Sequence, residues 1–132
     1  MYKKVFIIDD DEVSVFLTET ILATENFARE FHSFLDPAEA LNQLKQCLAE
    51  GNYQHLPDVL FLDLNMPLMS GWDFLDALKP YDKQLREQCK IYILTSSVDT
   101  CEMERSRNYS VLAGFLHKPM GDDTVQKLTM AS

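Results

Sequence analysis

The chain has 132 residues, of which 46% are hydrophobic and 25% charged. That length supports one domain with a real core and is too short for two, so residues 1–132 read as a single domain. The formal net charge of −9 argues against a nucleic-acid surface, because phosphate backbones are held mainly by Lys and Arg. Acidic groups gathered in a pocket would instead suit a cation.

At the N-terminus, Met1-Tyr2-Lys3-Lys4-Val5 leads into an apolar run of only four residues before acids begin. That is neither a signal peptide nor a membrane span. Cys47, Cys89 and Cys101 are odd in number and form no C-x-x-C pair, which fits reduced thiols in a cytoplasmic protein. Asn108-Tyr109-Ser110 has the glycosylation spacing, but without a secretory signal it is read as chance. His32, His55 and His117 lack metal-ligand spacing.

Val5-Phe6-Ile7-Ile8 is the continuous apolar sequence of a strand covered on both faces, and it ends in Asp9-Asp10-Asp11. Val13, Phe16, Leu17 and Ile21 then fall at helical spacing and are expected to be the buried stripe of a first helix. Residues 27–34 mix polar and apolar positions, as an edge strand does. Asp36-Pro37-Ala38-Glu39 predicts a second helix through an N-cap, a first-turn proline and a capping-box Glu. Leu41, Leu44 and Leu48 are its apolar stripe, and Gly51 its stop.

Val59-Leu60-Phe61-Leu62 is a buried strand that delivers Asp63 to its C-terminal tip. Ser70-Gly71-Trp72-Asp73 opens a third helix, which Pro80 terminates. The charged stretch 81–90 is compatible with a helical extension or a long loop. Residues 91–94 form another buried strand, running into Thr95-Ser96-Ser97, and Asp99-Thr100-Cys101-Glu102 starts a fourth helix to about Asn108. Residues 111–116 make a fifth strand, and 121–130 a last helix with Val125 and Leu128 on its apolar side. Five alternations of strand and helix predict a parallel sheet sandwiched by helices.

Ligands of such a sheet bind outside the carboxyl ends of its strands, and those ends carry the reactive groups here. Asp9 or Asp10, with Asp63, would crowd carboxylates into one cleft, which a hard divalent cation such as Mg²⁺ resolves. Lys118 adds a fixed positive charge and Thr95 a hydroxyl. The set fits a phosphoryl group in transfer, with Asp63 as the acceptor oxygen. Each residue alone has an ordinary role: Asp10 or Asp11 as a helix cap, Thr95 in a turn, Lys118 in solvent, Phe115 in the core. Their coincidence at matching strand ends favours the joint reading.

In these motifs the chain resembles the receiver domain of two-component response regulators, over essentially its whole length. The residues are Ile7-Ile8-Asp9-Asp10-Asp11, Leu62-Asp63-Leu64-Asn65-Met66-Pro67-Leu68-Met69-Ser70-Gly71, Ile93-Leu94-Thr95-Ser96 and Gly114-Phe115-Leu116-His117-Lys118-Pro119. The resemblance implies a doubly wound (βα)5 α/β fold, a five-stranded parallel sheet in the flavodoxin-like order 2-1-3-4-5. Asp63 would accept phosphate from a sensor histidine kinase or a histidine phosphotransfer protein. Asp9, Asp10 and Asp63 would hold Mg²⁺ with the Asn65 backbone carbonyl. Lys118 would pair with the acceptor and then with the phosphoryl group. Thr95 would bond that group and let Phe115 turn inward, switching the surface of the following helix, the fifth strand and the last helix for a downstream protein target. The Lys118–Pro119 peptide is expected to be cis, and Asn65 and Ser97 to tune phosphoryl lifetime. No linker or basic helix follows Met130, so the chain is expected to be either a stand-alone cytoplasmic receiver or the receiver part of a longer protein, in both cases acting on its own aspartate rather than as an enzyme.

Three rival classes fit the residues less well. A haloacid-dehalogenase-like phosphatase wants a second Asp two positions after the nucleophile, where Asn65 stands. A phosphate-independent interaction domain would have lost an acid or the lysine. A flavin-binding flavodoxin would need a Ser/Thr/Gly phosphate loop after the first strand.

Overall fold

The computed structural model describes residues 1–96 and 99–130. Its strands are β1 (Tyr2–Ile8), β2 (Ala28–Phe34), β3 (Val59–Leu62), β4 (Lys90–Thr95) and β5 (Leu112–His117). They form one sheet in the order β2-β1-β3-β4-β5, every neighbouring pair parallel. The helices are α1 (Glu12–Thr24), α2 (Pro37–Glu50), α3 (Gly71–Ala77), α4 (Asp82–Gln88), α5 (Thr100–Ser106) and α6 (Asp122–Met130). Fold class and strand order are those the sequence predicts.

Because successive side chains on a strand point to opposite faces, each central strand feeds two cores. Phe6, Ile8, Leu60, Leu62, Ile91 and Ile93 pack beneath Leu41, Leu44 and Leu48 of α2 and Phe74 and Leu75 of α3. On the other face, Val5, Ile7, Phe61 and Leu94 meet Val15 and Leu22 of α1 and Val125 and Leu128 of α6. Fully burying one such large side chain contributes about 1.5–3 kcal/mol, and the sheet centre is built almost wholly of them.

The helix starts follow their caps. Asp11 accepts from the Val13 N–H at 3.0 Å and Asp36 from the Ala38 N–H at 3.0 Å, with Pro37 in the first turn. Ser70 and Asp73 form the reciprocal capping box of α3. Gly51 closes α2 in the left-handed conformation, φ 69°, which a residue without Cβ adopts freely.

Two expectations need correction or completion. Three of the four residues expected to form the buried stripe of α1 are exposed, and the fourth, Ile21, packs partly against the core. Val13, Phe16 and Leu17 are 67%, 66% and 55% exposed, while Val15, Thr18 and Leu22 point inward. Two helical faces of this segment carry apolar residues, and the connection from β1 through the Asp11 cap decides which one turns to the sheet. The second concerns the charged stretch 81–90. After α3 ends at Ala77, Pro80 sits in a 3-10 turn (Lys79–Tyr81), and α4 follows with Leu85 as its buried anchor.

Candidate functional site

The backbone ladder brings the strand tips together. Val5 pairs with Val59 and Ile8 with Leu62, and the Asp63 N–H donates to the Ile8 carbonyl at 3.0 Å. Asp9 therefore lies beside Asp63, its own N–H donating to the Phe34 carbonyl at 3.1 Å. On the other side, Thr95 ends β4 opposite His117, and the Lys118 N–H donates to the Thr95 carbonyl at 2.8 Å. Four strands thus set the functional groups by main-chain hydrogen bonds, before any side-chain contact is considered.

Asp9, Asp10 and Asp63 each place a carboxylate oxygen within 4.8 Å of the others. Asp9 and Asp63 are buried, at 3% and 7% exposure, while Asp10 faces solvent. The division of labour among the first three acids, open in the sequence, resolves here: Asp11 caps α1 and Asp10 joins the cluster. Asp9 Oδ1 accepts from the Asp11 N–H at 3.0 Å, and its Oδ2 accepts from Lys118 Nζ at 2.6 Å. Lys118 Nζ also stands 3.6 Å from Asp63 Oδ1, so the lysine favours the deeper carboxylate while reaching both.

One ammonium does not offset three carboxylates. Burial first, and then the neighbouring Asp9 charge, push the Asp63 carboxyl up to about 6, against the pull of Lys118 and of the Leu64 and Asn65 N–H groups. Like charges gathered out of water resist joint ionisation. An all-oxygen donor set of this kind fits a hard divalent cation that keeps several waters, which is the chemistry of Mg²⁺.

Around this centre, Thr95 is fully buried. Asn65 is exposed in the loop after β3, and Phe115 is half-buried on the edge strand β5, its ring 5.7 Å from that of His117. The Lys118–Pro119 peptide is cis. Gly71 starts α3 against the acceptor strand: a Cβ there would lie 2.7 Å from the Asp63 carbonyl oxygen. Ser97 lies outside the described residues.

A groove of about 580 Å³ opens from this centre along α1, lined by Val13, Leu17, Ile21 and Met120 and reaching Asp11 and Lys118. Sequence reasoning misses this surface, because it assigns the same apolar residues to the core. The signal lies in the second helical face, where Val15, Thr18 and Leu22 recur at turn spacing. Among the described residues, no helix is long and apolar enough to cross a membrane, and Cys47, Cys89 and Cys101 are free thiols.

Comparison with known proteins agrees with this geometry. No curated protein matches the chain. Among solved structures, it is similar to a two-component response regulator from Cytophaga hutchinsonii, with 23% identity and a TM-score of 0.84 over 99% of this chain and 98% of that one. The chemotaxis protein CheY4 of Vibrio cholerae gives 22% identity and a TM-score of 0.72 over 99% and 98%. The bacteriophytochrome response regulator AtBRR gives 27% and 0.76 over 99% and 91%. The family model of the response regulator receiver domain matches residues 5–129. The chain therefore belongs to the response regulator receiver domain family of two-component signalling.

Proposed function

We propose that the protein takes up a phosphoryl group on Asp63 and relays it as a change of surface. One observation carries the reading: three carboxylates within 4.8 Å at adjoining strand ends, with the Lys118 ammonium 2.6 Å and 3.6 Å from two of them. Asp63 Oδ attacks phosphorus, a P–O bond forms as the P–N bond of a donor phosphohistidine breaks, and the imidazole leaves with the electron pair. Asp9, Asp10 and Asp63, with the Asn65 carbonyl, are the residues that would hold Mg²⁺. When bound, that ion supplies charge neutralisation and in-line positioning at the phosphoryl oxygens. Lys118 counters the charge that builds on the transferred group, and the Thr95 hydroxyl is the donor that would follow it.

The donor is a phosphohistidine on a sensor kinase or a phosphotransfer protein, and the uncovered apolar face of α1 beside the acceptor is where it would seat. Phosphorylation adds about −1.5 to −2 charges and three strong acceptor oxygens. Thr95 and Lys118 are the groups able to follow that change, and they lead directly into α5 and α6. The resulting shift between two conformations alters the α5–β5–α6 surface for a downstream protein. The role is that of a phospho-acceptor acting on its own aspartate, so sustained turnover of phosphomonoesters would contradict it.

Intact mass after incubation with acetyl phosphate and Mg²⁺ tests the chemistry. A gain of one phosphoryl group is expected in the wild type and none in Asp63→Asn. Absence of the gain in the wild type refutes the reading. Beryllofluoride, a phosphoryl mimic, is expected to move the amide resonances of residues 95–125, and unchanged spectra there would sink the switch.

A further inference from the structure

Helix α5 differs from the other helices described in having no buried side chain. It nonetheless follows the strand that ends in Thr95. An element with so little buried surface has low local stability and is held by whatever contacts reach it from outside.

Besides its contacts with β5, α5 reaches α3 through one side chain. The Arg105 guanidinium of α5 lies 4.9 Å over the Trp72 ring. Trp72 stacks on Tyr109, with ring centroids 5.3 Å apart and planes at 27°. Tyr109 sits in the connection that carries α5 into β5, and its hydroxyl donates to Asp76 Oδ1 at 2.8 Å. Lys79 completes the cluster, 5.0 Å from the Tyr109 ring centroid and 3.5 Å from Asp76. Trp72, Asp76 and Lys79 recur at turn spacing, so one side of α3 and of the turn after it supplies the whole receiving surface. Both rings are buried, at 6% and 8% exposure, while Arg105 and Lys79 face solvent.

The cluster bridges two segments with different origins. α3 is tied to the segment just after the acceptor through the Gly71 N–H, which donates to the Leu64 carbonyl at 3.0 Å. α5 leads away from Thr95. On the phospho-acceptor reading, Asp63, Thr95 and Lys118 are the positions whose partners change when a phosphoryl group arrives. Lys118, paired here with Asp9 and near Asp63, is in the arrangement of an unmodified acceptor.

We propose that the Arg105–Trp72–Tyr109–Asp76 cluster is a latch that holds α5 in its unmodified seating and opens when Asp63 is phosphorylated. This rests on the phospho-acceptor reading above. Aromatic and cation–π contacts at a rim are individually small, so reseating α5 breaks contacts without opening a core cavity. A ligand that favours the open state binds better once the closed state is weakened. Loosening the latch therefore raises phosphoryl uptake, the opposite of what damage to a merely structural contact would do.

The test compares the wild type with Arg105→Met, which keeps length and removes charge, and Arg105→Lys, which keeps a cation. With acetyl phosphate and Mg²⁺, Arg105→Met is expected to be labelled about two- to fivefold faster, the factor that an exposed cation–π contact implies. Arg105→Lys stays close to the wild type. Trp72, the sole tryptophan, reports the seating: its emission moves in the wild type when beryllofluoride and Mg²⁺ are added, and in Arg105→Met part of that move is present beforehand. If the wild type itself takes no phosphoryl group, the phospho-acceptor reading fails. If the wild type is labelled while Arg105→Met is labelled at an equal or lower rate, the latch is overturned and the function stands. Trp72 emission unaffected by Arg105→Met would overturn it too.

Discussion

Replacing Asp63 by Asn is expected to make the protein more stable in the absence of divalent cations, although it removes the group that the fold delivers to its site. In the folded chain the Asp63 carboxyl is raised from 3.8 to about 6, by burial and then by Asp9. A raised carboxyl binds its proton more tightly folded than unfolded. Its stabilising contribution is therefore complete below pH 3.8 and is lost as pH rises through about 6. At pH 8 the ionised Asp63 costs the fold up to about 3 kcal/mol, because a carboxyl raised by one pH unit corresponds to about 1.36 kcal/mol. At pH 5 the same arithmetic leaves about half of that. The amide of Asp63→Asn carries no such charge, and Lys118 would retain Asp9 at 2.6 Å. Solvation of the site and the amide's own burial reduce the gain to about 1–3 kcal/mol at pH 8. Urea unfolding in EDTA reads this as a midpoint higher by about 1–2 M, shrinking at pH 5. Mg²⁺ should close the gap from the other side by stabilising only the wild type. An Asp63→Asn variant equal to or less stable than the wild type at pH 8, or a difference that ignores pH, would refute the electrostatic account of the site.

Other outcomes follow from the same geometry. Lys118→Met leaves Asp9 and Asp63 unopposed, so it should lower stability at pH 8 by about 2–4 kcal/mol and raise the Asp63 carboxyl further; carboxylate-resolved NMR titration checks the direction. Gly71→Ala forces a Cβ to within 2.7 Å of the Asp63 carbonyl oxygen and 3.0 Å of Leu64 Cα. It should cost about 1–3 kcal/mol in chemical denaturation and slow phosphoryl uptake by displacing the acceptor strand. Cys101 is exposed and Cys89 buried, with burial pushing the Cys89 thiol far up. An aromatic disulfide reagent should thus label Cys101 first in the native protein and Cys89 only on unfolding; fast native labelling of Cys89 would contradict the packing of the junction between α4 and β4.

Much of the fold is legible in advance because its signals are local. Val5–Ile8, Val59–Leu62 and residues 91–94 are unbroken apolar runs, and only strands covered on both faces tolerate them at that length. The caps at Asp36, Ser70 and Asp99 mark helix starts through side-chain oxygens that need no tertiary partner. The stretch 81–90 is not legible, because a single buried residue, Leu85, anchors its helix, and one position makes no period. The inward face of α1 is misread for a related reason. Apolar residues occupy both sides of that helix, and periodicity does not say which side meets the sheet.

The candidate site divides along the same line. Residue types at strand ends, Asp9, Asp63, Thr95 and Lys118, are a property of the amino-acid order, and parallel topology suffices to collect them at one edge. Which acid caps α1, which joins the cluster, and how Lys118 divides itself between Asp9 and Asp63 depend on distances of a few ångström. So does the meeting of Arg105, Trp72 and Tyr109, residues that no spacing rule connects. Sequence periodicity reports what a segment prefers along its own axis, whereas contacts between segments arise only when the register of the sheet sets their heights and the cores set their rotation. For that reason the chain's order determined its strands, caps and reactive groups, and tertiary packing alone decided which surfaces remained open and which side chains met.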